Sequence, residues 1–342
     1  MFVVDAEGEF SHQDLAIFWL FNQGNSLLPT CMKVPAKILA LHSLSVYFLL
    51  LALGLTNTLG VDGMRLHSVI SNNPHVSSGT CPVVFLHGLD SSSQTWSEVM
   101  PKVKAPCLAI DLRGCGDSSP ETLHDDEFSM DVLVQDIFDT LEDHPLVKGK
   151  KFILCGHSMG GRIAISYTAS HPTQIATLIV EDMDTAPRTT QPFQLTYDPP
   201  FERSFESAEL ATDTFVHMGY PLNRVEKWVK EGRIAENSTK KNDSSTPEWW
   251  SHVNPDFRRL CYKEIMALSR AQEDWRKFST ETFPTYLLVA GPGQTVCLEE
   301  SLKEMQEVYP SAVMHMYPTA THSIHNSNRD EFVELLNRIL SH

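Results

Sequence analysis

The chain has 342 residues, of which 42% are hydrophobic and 20% are charged. This length and composition suit one large globular domain, or a domain with an insertion, and provide enough apolar material for a sizeable core. Its 43 acidic residues outnumber the 27 lysines and arginines, which gives a net charge of −16. Because such an acidic surface repels polyanions, the composition argues against a nucleic-acid partner.

An N-terminal extension, residues 1–60, is predicted to precede the domain at 61–342. Its segment 38–60 has no charged side chain and follows Lys33 and Lys37. Lysines before an apolar run are typical of a secretory signal peptide, and about 20 uncharged residues also suffice to span a bilayer. A cleaved signal, a lumen-facing membrane anchor and a buried core helix all stay open. We expect the secretory route, with the segment giving membrane association if it is retained.

Translation from Met1 and from Met32 are both compatible with this N-terminus. Glycosylation sequons at Asn237 and Asn242 agree with the secretory route. Six cysteines follow the apolar segment, an even number that permits disulfides. Of these, Cys81 and Cys107 begin neighbouring predicted strands and form the pair to test.

Beyond the apolar segment, strand and helix patterns alternate along the chain. Apolar runs predict the strands, and apolar residues at helical spacing within 129–143 predict a helix capped by Ser129. The strands are expected at 64–71, 82–86, 107–110, 152–155, 176–180, 286–290 and 312–317. Further helices are expected after the fourth strand, at 299–308 and at 329–340. Such repeated units imply an α/β fold, a doubly wound and mostly parallel sheet with active groups at the C-terminal strand ends.

The alternation stops at about 186–283. This stretch contains helical pieces at 207–218, 222–234 and 256–278, together with four tryptophans and many turn residues. It is predicted to be an inserted helical cap. Its aromatic side chains either line a substrate pocket or form the cap's own core, and the second is the commoner role of aromatics at helical spacing.

The most informative motif is Gly156-His157-Ser158-Met159-Gly160. It lies between a predicted strand and a predicted helix, which is the context of a nucleophile elbow. In such an elbow the serine has a strained backbone, and the glycines let strand and helix approach closely. The free N–H groups of the helix N-terminus then lie beneath the hydroxyl. Ser158 is therefore the candidate nucleophile, and the alternative is a glycine-rich turn with an incidental serine.

Four motifs in this order resemble the α/β-hydrolase family, from about Met64 to the C-terminus. They are His87-Gly88, Asp111-x-Arg113-Gly114-x-Gly116-x-Ser118, the Ser158 elbow and His322. The chain looks most like the short esterase and thioesterase members, which carry Gly-His-Ser-Met-Gly-Gly and an Asp-x-Ala-Pro after the next strand. The latter appears here as Asp184-Thr185-Ala186-Pro187. The resemblance implies an α/β-hydrolase fold with serine chemistry and neither metal nor organic cofactor.

The resemblance places the catalytic base at His322, in the loop between the last strand and the last helix. A serine hydroxyl is nearly inert at neutral pH without such a base. His325 is the alternative base, three residues further on.

The candidate acid departs from the common family pattern. That pattern has a carboxylate in the loop after the penultimate strand, but 291–296 contains none. The preceding strand ends in Asp182 and Asp184, and Asp182 keeps the distance from the elbow serine that the resembling members show. Asp182 is thus the first choice, with Asp184 the alternative acid and a capping or solvated pair the other interpretation. Gln294 is a candidate neutral partner nearby.

The resemblance also places an oxyanion hole at the backbone N–H groups of Leu89 and Met159. Asp111 and Arg113 are expected to organise their loop through hydrogen bonds. A serine in the elbow, instead of an aspartate, argues against dehalogenase or epoxide-hydrolase chemistry.

These residues predict a serine hydrolase that acts on a small-molecule carboxylic ester or thioester through an acyl-enzyme. Two alternatives stay open. The same groups serve amide or carbon–carbon cleavage, and the same fold serves non-catalytic binding proteins.

Overall fold

The computed structural model describes residues 63–71, 79–118, 123–190, 194–236, 248–278 and 283–341. All of them belong to the compact unit Val61–His342. The predicted apolar segment 38–60 and the sequons at Asn237 and Asn242 lie outside these residues. In the described ranges no helix is both long and apolar enough to cross a membrane.

The described strands form two sheets. They are β1 (Ser68–Ser71), β2 (Val83–Leu86), β3 (Cys107–Ile110), β4 (Phe152–His157), β5 (Ile175–Glu181), β6 (Ser204–Phe205), β7 (Ile234–Glu236), β8 (Trp249–Ser251), β9 (Thr285–Val289) and β10 (Val313–Met316). The larger sheet has the order β1-β3-β2-β4-β5-β9-β10. β1 runs antiparallel to β3, whereas the other neighbours in this sheet are parallel. The predicted mostly parallel sheet is confirmed.

Helices cover both faces of the larger sheet. They are α1 (Met130–Glu142), α2 (Met159–Ser170), α3 (Ala208–His217), α4 (Leu222–Lys230), α5 (Pro255–Cys261), α6 (Arg270–Lys277), α7 (Glu299–Val308), α8 (Ile324–Ser327) and α9 (Arg329–Ile339). Side chains of β2 alternate between two apolar clusters. Val84 packs in the cluster that contains Ile163 of α2, and Phe85 in the one that contains Phe332 of α9. This alternation shows the doubly wound arrangement directly.

Local chemistry sets the start of α1. The Ser129 hydroxyl accepts a hydrogen bond from the amide of Val132 at 3.2 Å, as the predicted cap requires. The central strands β2 and β3 are buried along their whole length, which explains their continuous apolar sequence.

The cap between β5 and β9 is mixed α and β, so the prediction of a purely helical insertion was incomplete. Three short antiparallel strands in the order β6-β8-β7 pack beside α3 and α4. The helix expected at 222–234 ends at Lys230, because the chain turns at Gly232 (φ +73°) to enter β7. The helix expected at 256–278 divides into α5, a π-helical turn at Tyr262–Met266, and α6.

None of the six cysteines in the described ranges forms a disulfide. The Sγ of Cys81 lies 3.5 Å from the carbonyl oxygen of Lys151, and the Sγ of Cys107 lies 3.4 Å from that of Ala105. Burial raises the pKa of the Cys107 thiol to about 12. The pair singled out from the sequence is therefore two separate thiols.

Candidate active site

Ser158 lies at the turn between β4 and α2 with φ +53° and ψ −122°. This conformation is strained for a residue with a side chain, as the elbow motif predicts. Close packing demands glycine around it. A Cβ on Gly160 would lie 2.5 Å from the carbonyl oxygens of Leu86 and His87, and one on Gly156 would lie 2.2 Å from the Gly160 oxygen. The Ser158 residue is only 7% exposed.

Asp182 follows the end of β5, the strand next to β4. The Ser158 amide donates to the Glu181 carbonyl at 2.8 Å, so the two strand ends lie side by side. Asp182 has φ +46° and its side chain is fully buried. Its Oδ1 accepts hydrogen bonds from the Ala290 amide at 2.8 Å and the Thr295 hydroxyl at 2.6 Å. The expected neutral partner, Gln294, is exposed instead, and its neighbour Thr295 occupies that role.

The surroundings of Asp182 keep it anionic. Burial by itself favours the protonated carboxyl group and would raise its pKa. Hydrogen bonds from the His322 ring, the Thr295 hydroxyl and the Ala290 amide outweigh burial, and the pKa of Asp182 is lowered. The site therefore holds a buried carboxylate at neutral pH.

His322 lies in the loop between β10 and α8. Its Nδ1 is 2.7 Å from Oδ2 of Asp182. Its ring packs on that of His157, with centroids 4.7 Å apart, and the Nε2 of His157 is 3.0 Å from the His322 carbonyl oxygen. His157 directly precedes Ser158 in the elbow, so the imidazole of His322 lies beside the elbow. Since Nδ1 faces the carboxylate, Nε2 is the ring nitrogen that can accept a proton.

Asp184, the alternative acid, points elsewhere. Its carboxylate lies 2.7 Å from Nη2 of Arg188 and 3.4 Å from Nη2 of Arg162. It also accepts a hydrogen bond at 2.6 Å from the amide of Leu298, which directly precedes α7. The structure thus brings Asp182, and not Asp184, to His322. Asp184 anchors the chain after β5 to the start of α7.

The loop after β2 approaches the elbow through Gly88. A Cβ on Gly88 would lie 2.9 Å from Cβ of Ser158, so the loop backbone lies against the serine. His87 is buried, which lowers its pKa. Its Nε2 accepts from the Leu112 amide at 3.1 Å, and its Nδ1 therefore donates to the Gly88 carbonyl at 2.8 Å. Because C=O and N–H point in opposite directions across a trans peptide, this bond also orients the N–H of Leu89.

Met159, the other expected oxyanion donor, is the first residue of α2 and is fully buried. The amides in the first turn of a helix have no partner within the helix. Met159 directly follows Ser158, and Leu89 directly follows Gly88, whose backbone lies against Ser158.

Asp111 and Arg113 organise the loop after β3, as the sequence predicts. Asp111 accepts hydrogen bonds from the amides of Ser93 at 2.6 Å and Asp117 at 3.0 Å. Arg113 forms a buried pair with Asp136, with Nε 2.6 Å from Oδ2.

Among the described residues, two further buried side-chain pairs adjoin candidate site residues and were not predicted. Arg258 of α5 contacts the Asp90 carboxylate, with Nη2 2.5 Å from Oδ2. His325, weighed above as the alternative base, pairs with Glu181, with Nδ1 2.8 Å from Oε1. The partners are 168 and 144 residues apart in sequence, so no local pattern connects them. The one signal available was position, since Asp90 and Glu181 each directly adjoin a candidate site residue.

Within the part of the chain that the structure describes, two groups of side chains have enough nitrogen and oxygen ligands close together for a metal ion. They are His157, Glu181 and His325, and His67, Asp111 and Asp117. In both groups hydrogen bonds within the protein already involve these ligand atoms. We therefore assign neither group to a metal.

Comparison with known proteins agrees with the observed fold. The chain is 22% identical to the sn-1-specific diacylglycerol lipase ABHD11 of Danio rerio, over 80% of this chain and 84% of that protein. A marine microorganism esterase has a similar structure, with a TM-score of 0.58 and 19% identity over 81% of this chain and 100% of that chain. A thioesterase domain from the curacin biosynthetic pathway has a TM-score of 0.54 and 14% identity over 80% of this chain and 99% of its own. A model of the alpha/beta hydrolase family matches residues 83–335, and the chain therefore belongs to that family.

Proposed function

We propose that this protein is a serine hydrolase that cleaves carboxylic ester or thioester bonds through an acyl-enzyme intermediate. Ser158 attacks the acyl carbon, and His322 takes the hydroxyl proton and passes it to the leaving group. Water then attacks the acyl carbon, His322 takes a proton from the water and returns it to the Ser158 oxygen, and the bond to Ser158 breaks to release the acid. Asp182 holds the imidazole in the required tautomer and stabilises its charged form.

The observation that carries this proposal is the 2.7 Å contact between Asp182 and His322 beside the elbow. An anionic Asp182 accepts a hydrogen bond from the Nδ1–H of His322, which leaves the Nε2 lone pair as the base. A serine hydroxyl needs such a neighbour because its own pKa is far above neutral. Ser158 supplies the hydroxyl from a backbone geometry that a glycine-rich turn with an incidental serine would not require.

The oxyanion that forms on attack would receive hydrogen bonds from the amides of Leu89 and Met159. Fixed backbone donors cost no reorganisation during the reaction, and one such donor contributes about a hundredfold or more in rate. The His87 contact with Gly88 supports this assignment because it orients the Leu89 peptide before substrate binds.

The names of the similar proteins agree with the bond type. They include a lipase that acts on diacylglycerol, an esterase and a thioesterase domain. We therefore assign a small-molecule acyl ester or thioester as substrate and leave the acyl chain to a direct assay.

A fluorophosphonate probe tests the proposal. This reagent labels a serine that an adjacent base activates, so the wild-type protein is expected to be labelled at Ser158. Labelling should disappear in Ser158→Ala. Ser166→Ala is the matched control, because Ser166 is also buried in α2, two turns further on. Absence of labelling in correctly folded wild-type protein would contradict the proposal and favour a binding protein of this fold.

A panel of acyl esters, thioesters and amides of graded chain length then identifies the bond and the acyl group. We expect turnover of esters or thioesters with a burst of leaving group as the acyl-enzyme accumulates. Turnover confined to amides would move the assignment to an amidase.

A further inference from the structure

A second carboxylate–imidazole pair, Glu181 with His325, adjoins the pair formed by Asp182 and His322. His325 Nδ1 is 2.8 Å and 2.9 Å from the two carboxylate oxygens of Glu181. The Glu181 carboxylate also accepts a hydrogen bond from the backbone amide of His325 at 2.9 Å. Both side chains are fully buried. A buried carboxylate is costly unless it is paired or hydrogen-bonded in this way, so loss of either partner would be destabilising.

The two pairs join the same two stretches of chain. Glu181 ends β5 and Asp182 directly follows it, while His322 precedes α8 and His325 lies three residues further on, within α8. The loop that carries His322 is thus held by two adjacent carboxylates. One contacts the His322 ring, and the other contacts both the ring and the backbone of His325.

His157 adds a third attachment between these pairs. Its ring lies 4.7 Å from that of His322 and 4.9 Å from that of His325, centroid to centroid. Burial, and then the two neighbouring imidazoles, hold the pKa of His157 well below its ordinary value. The neutral ring can therefore donate its Nε2 proton to the His322 carbonyl without adding charge to the site.

The remaining surface of His325 is also occupied. Its Nε2 is 2.8 Å from the Thr95 hydroxyl, and its ring lies 4.2 Å from that of Trp96. Both nitrogens and one face of the ring are engaged, which excludes His325 as a proton acceptor for Ser158. The fully buried ring, which is carried on α8, therefore contacts both the end of β5 and the turn at Ser93–Trp96.

We propose that Glu181 and His325 are positioning residues, which hold the His322 loop so that Nδ1 of His322 meets Asp182. The inference rests on the proposed function, since it assigns His322 as the base. A carboxylate fits this role better than a neutral side chain because charged acceptors form shorter and stronger hydrogen bonds. The site thereby uses one imidazole for proton transfer and a second to fix the loop on which the first is carried.

The test compares Glu181→Gln and His325→Asn with the wild type. Because a small misplacement of a catalytic group costs up to about a hundredfold, we expect kcat to fall about tenfold or more and KM to change by less than about twofold. The low-field proton resonance of the Nδ1–H of His322 should weaken or exchange faster with water. That resonance is recorded without substrate, so it tests the positioning even in a protein that hydrolyses no ester.

A double-mutant cycle separates positioning from general destabilisation. If Glu181 acts through the contact between His322 and Asp182, Glu181→Gln should have little further effect on kcat in an Asp182→Asn background. Independent effects that multiply would overturn the proposal.

His171→Asn is the matched control, because the His171 ring is half-buried and stacks on Phe138 and Tyr167 at the far end of α2. It should lower stability and leave kcat unchanged.

Thr95→Val gives a milder perturbation of His325 if Glu181→Gln does not fold, and it should change the His322 resonance in the same direction. Folded variants with an unchanged resonance and kcat within about twofold of the wild type would overturn the proposal, while fluorophosphonate labelling would still support the proposed function.

Discussion

The C-terminal edge of the large sheet and the cap contacts above it bury charge with different chemistry. At the sheet edge, Asp182 and Glu181 pair with imidazoles. Where the cap meets the sheet loops, guanidinium groups supply the charge. Arg258 binds the Asp90 carboxylate, and Arg203 donates to the carbonyl of Gly116.

This difference determines which of the buried pairs contain a group suited to proton transfer. Imidazole gains and loses a proton near neutral pH, whereas arginine stays charged at every pH a protein meets. In the proposed mechanism His322 therefore transfers the proton and His325 positions its loop, whereas the cap arginines act as fixed charges. Asp184 lies near the edge but pairs with Arg162 and Arg188, so it belongs with the structural group.

The largest effect is expected for His322→Ala. Loss of this proposed base should reduce kcat about 10⁴-fold or more, because removal of one member of a catalytic unit abolishes most of the unit's effect. Steady-state kinetics on the best ester from the panel measure this. His315→Ala on β10 is the control, and it should retain activity. A small effect of His322→Ala on kcat would contradict the proposal that an imidazole at the sheet edge acts as the base.

Substitutions of Asp182 and Asp184 test whether the first carboxylate is catalytic and the second structural. Asp182→Asn should lower kcat by about 10³- to 10⁴-fold, because the amide no longer fixes the tautomer of His322. Asp184→Asn should instead lower the free energy of unfolding by about 3 kcal/mol, because buried Arg162 loses its carboxylate. Denaturant melts and kinetics on both variants distinguish the outcomes. The reverse ranking in kcat would make Asp184 the catalytic acid.

Removing a cap anchor should affect stability more than chemistry. Arg258→Gln leaves the Asp90 carboxylate without its bidentate partner and should cost about 3 kcal/mol of unfolding free energy. Urea titration measures this. Arg276→Gln is the control, since its pair with Glu304 lies at the surface and such pairs contribute about 0–1 kcal/mol. Equal costs for the two variants would contradict the assignment of Arg258 as an anchor.

The smallest effect concerns Asp111 and pH. Burial would raise its pKa, but a hydrogen bond from His67, the nearby His87 and the amides of Asp117 and Ser93 lower it to about 2. Because the folded pKa lies below the unfolded value of about 3.9, its stabilisation is present above about pH 4 and lost as pH falls through about 2.

The stability difference between wild type and Asp111→Asn should therefore shrink by about 2 kcal/mol between about pH 5 and pH 2. Chemical denaturation at several pH values measures this difference. A constant difference would show that Asp111 contributes no acid-sensitive stability.

Much of the sheet and the elbow could be predicted from the sequence because their signals are local. A parallel strand buried on both faces is continuously apolar, as Val83–Leu86 is, and the elbow needs glycines within five residues of each other. The cap was predicted less well. Short antiparallel strands such as Ser204–Phe205 are too brief to show alternation, and the turn at Gly232 interrupts a pattern that is otherwise helical.

Which residues pair with the buried carboxylates could be learned only from the folded chain. The sequence by itself determined the family resemblance, the strand order along the chain and the candidates Ser158, Asp182 and His322. Only the tertiary structure decided that Asp182 rather than Asp184 meets His322, that Glu181 holds His325, and that Arg258 reaches Asp90. The physical reason is the distance along the sequence over which each kind of signal acts. Periodicity and turn chemistry act over a few residues, whereas each of these contacts joins groups more than a hundred residues apart, which only the packed sheet brings together.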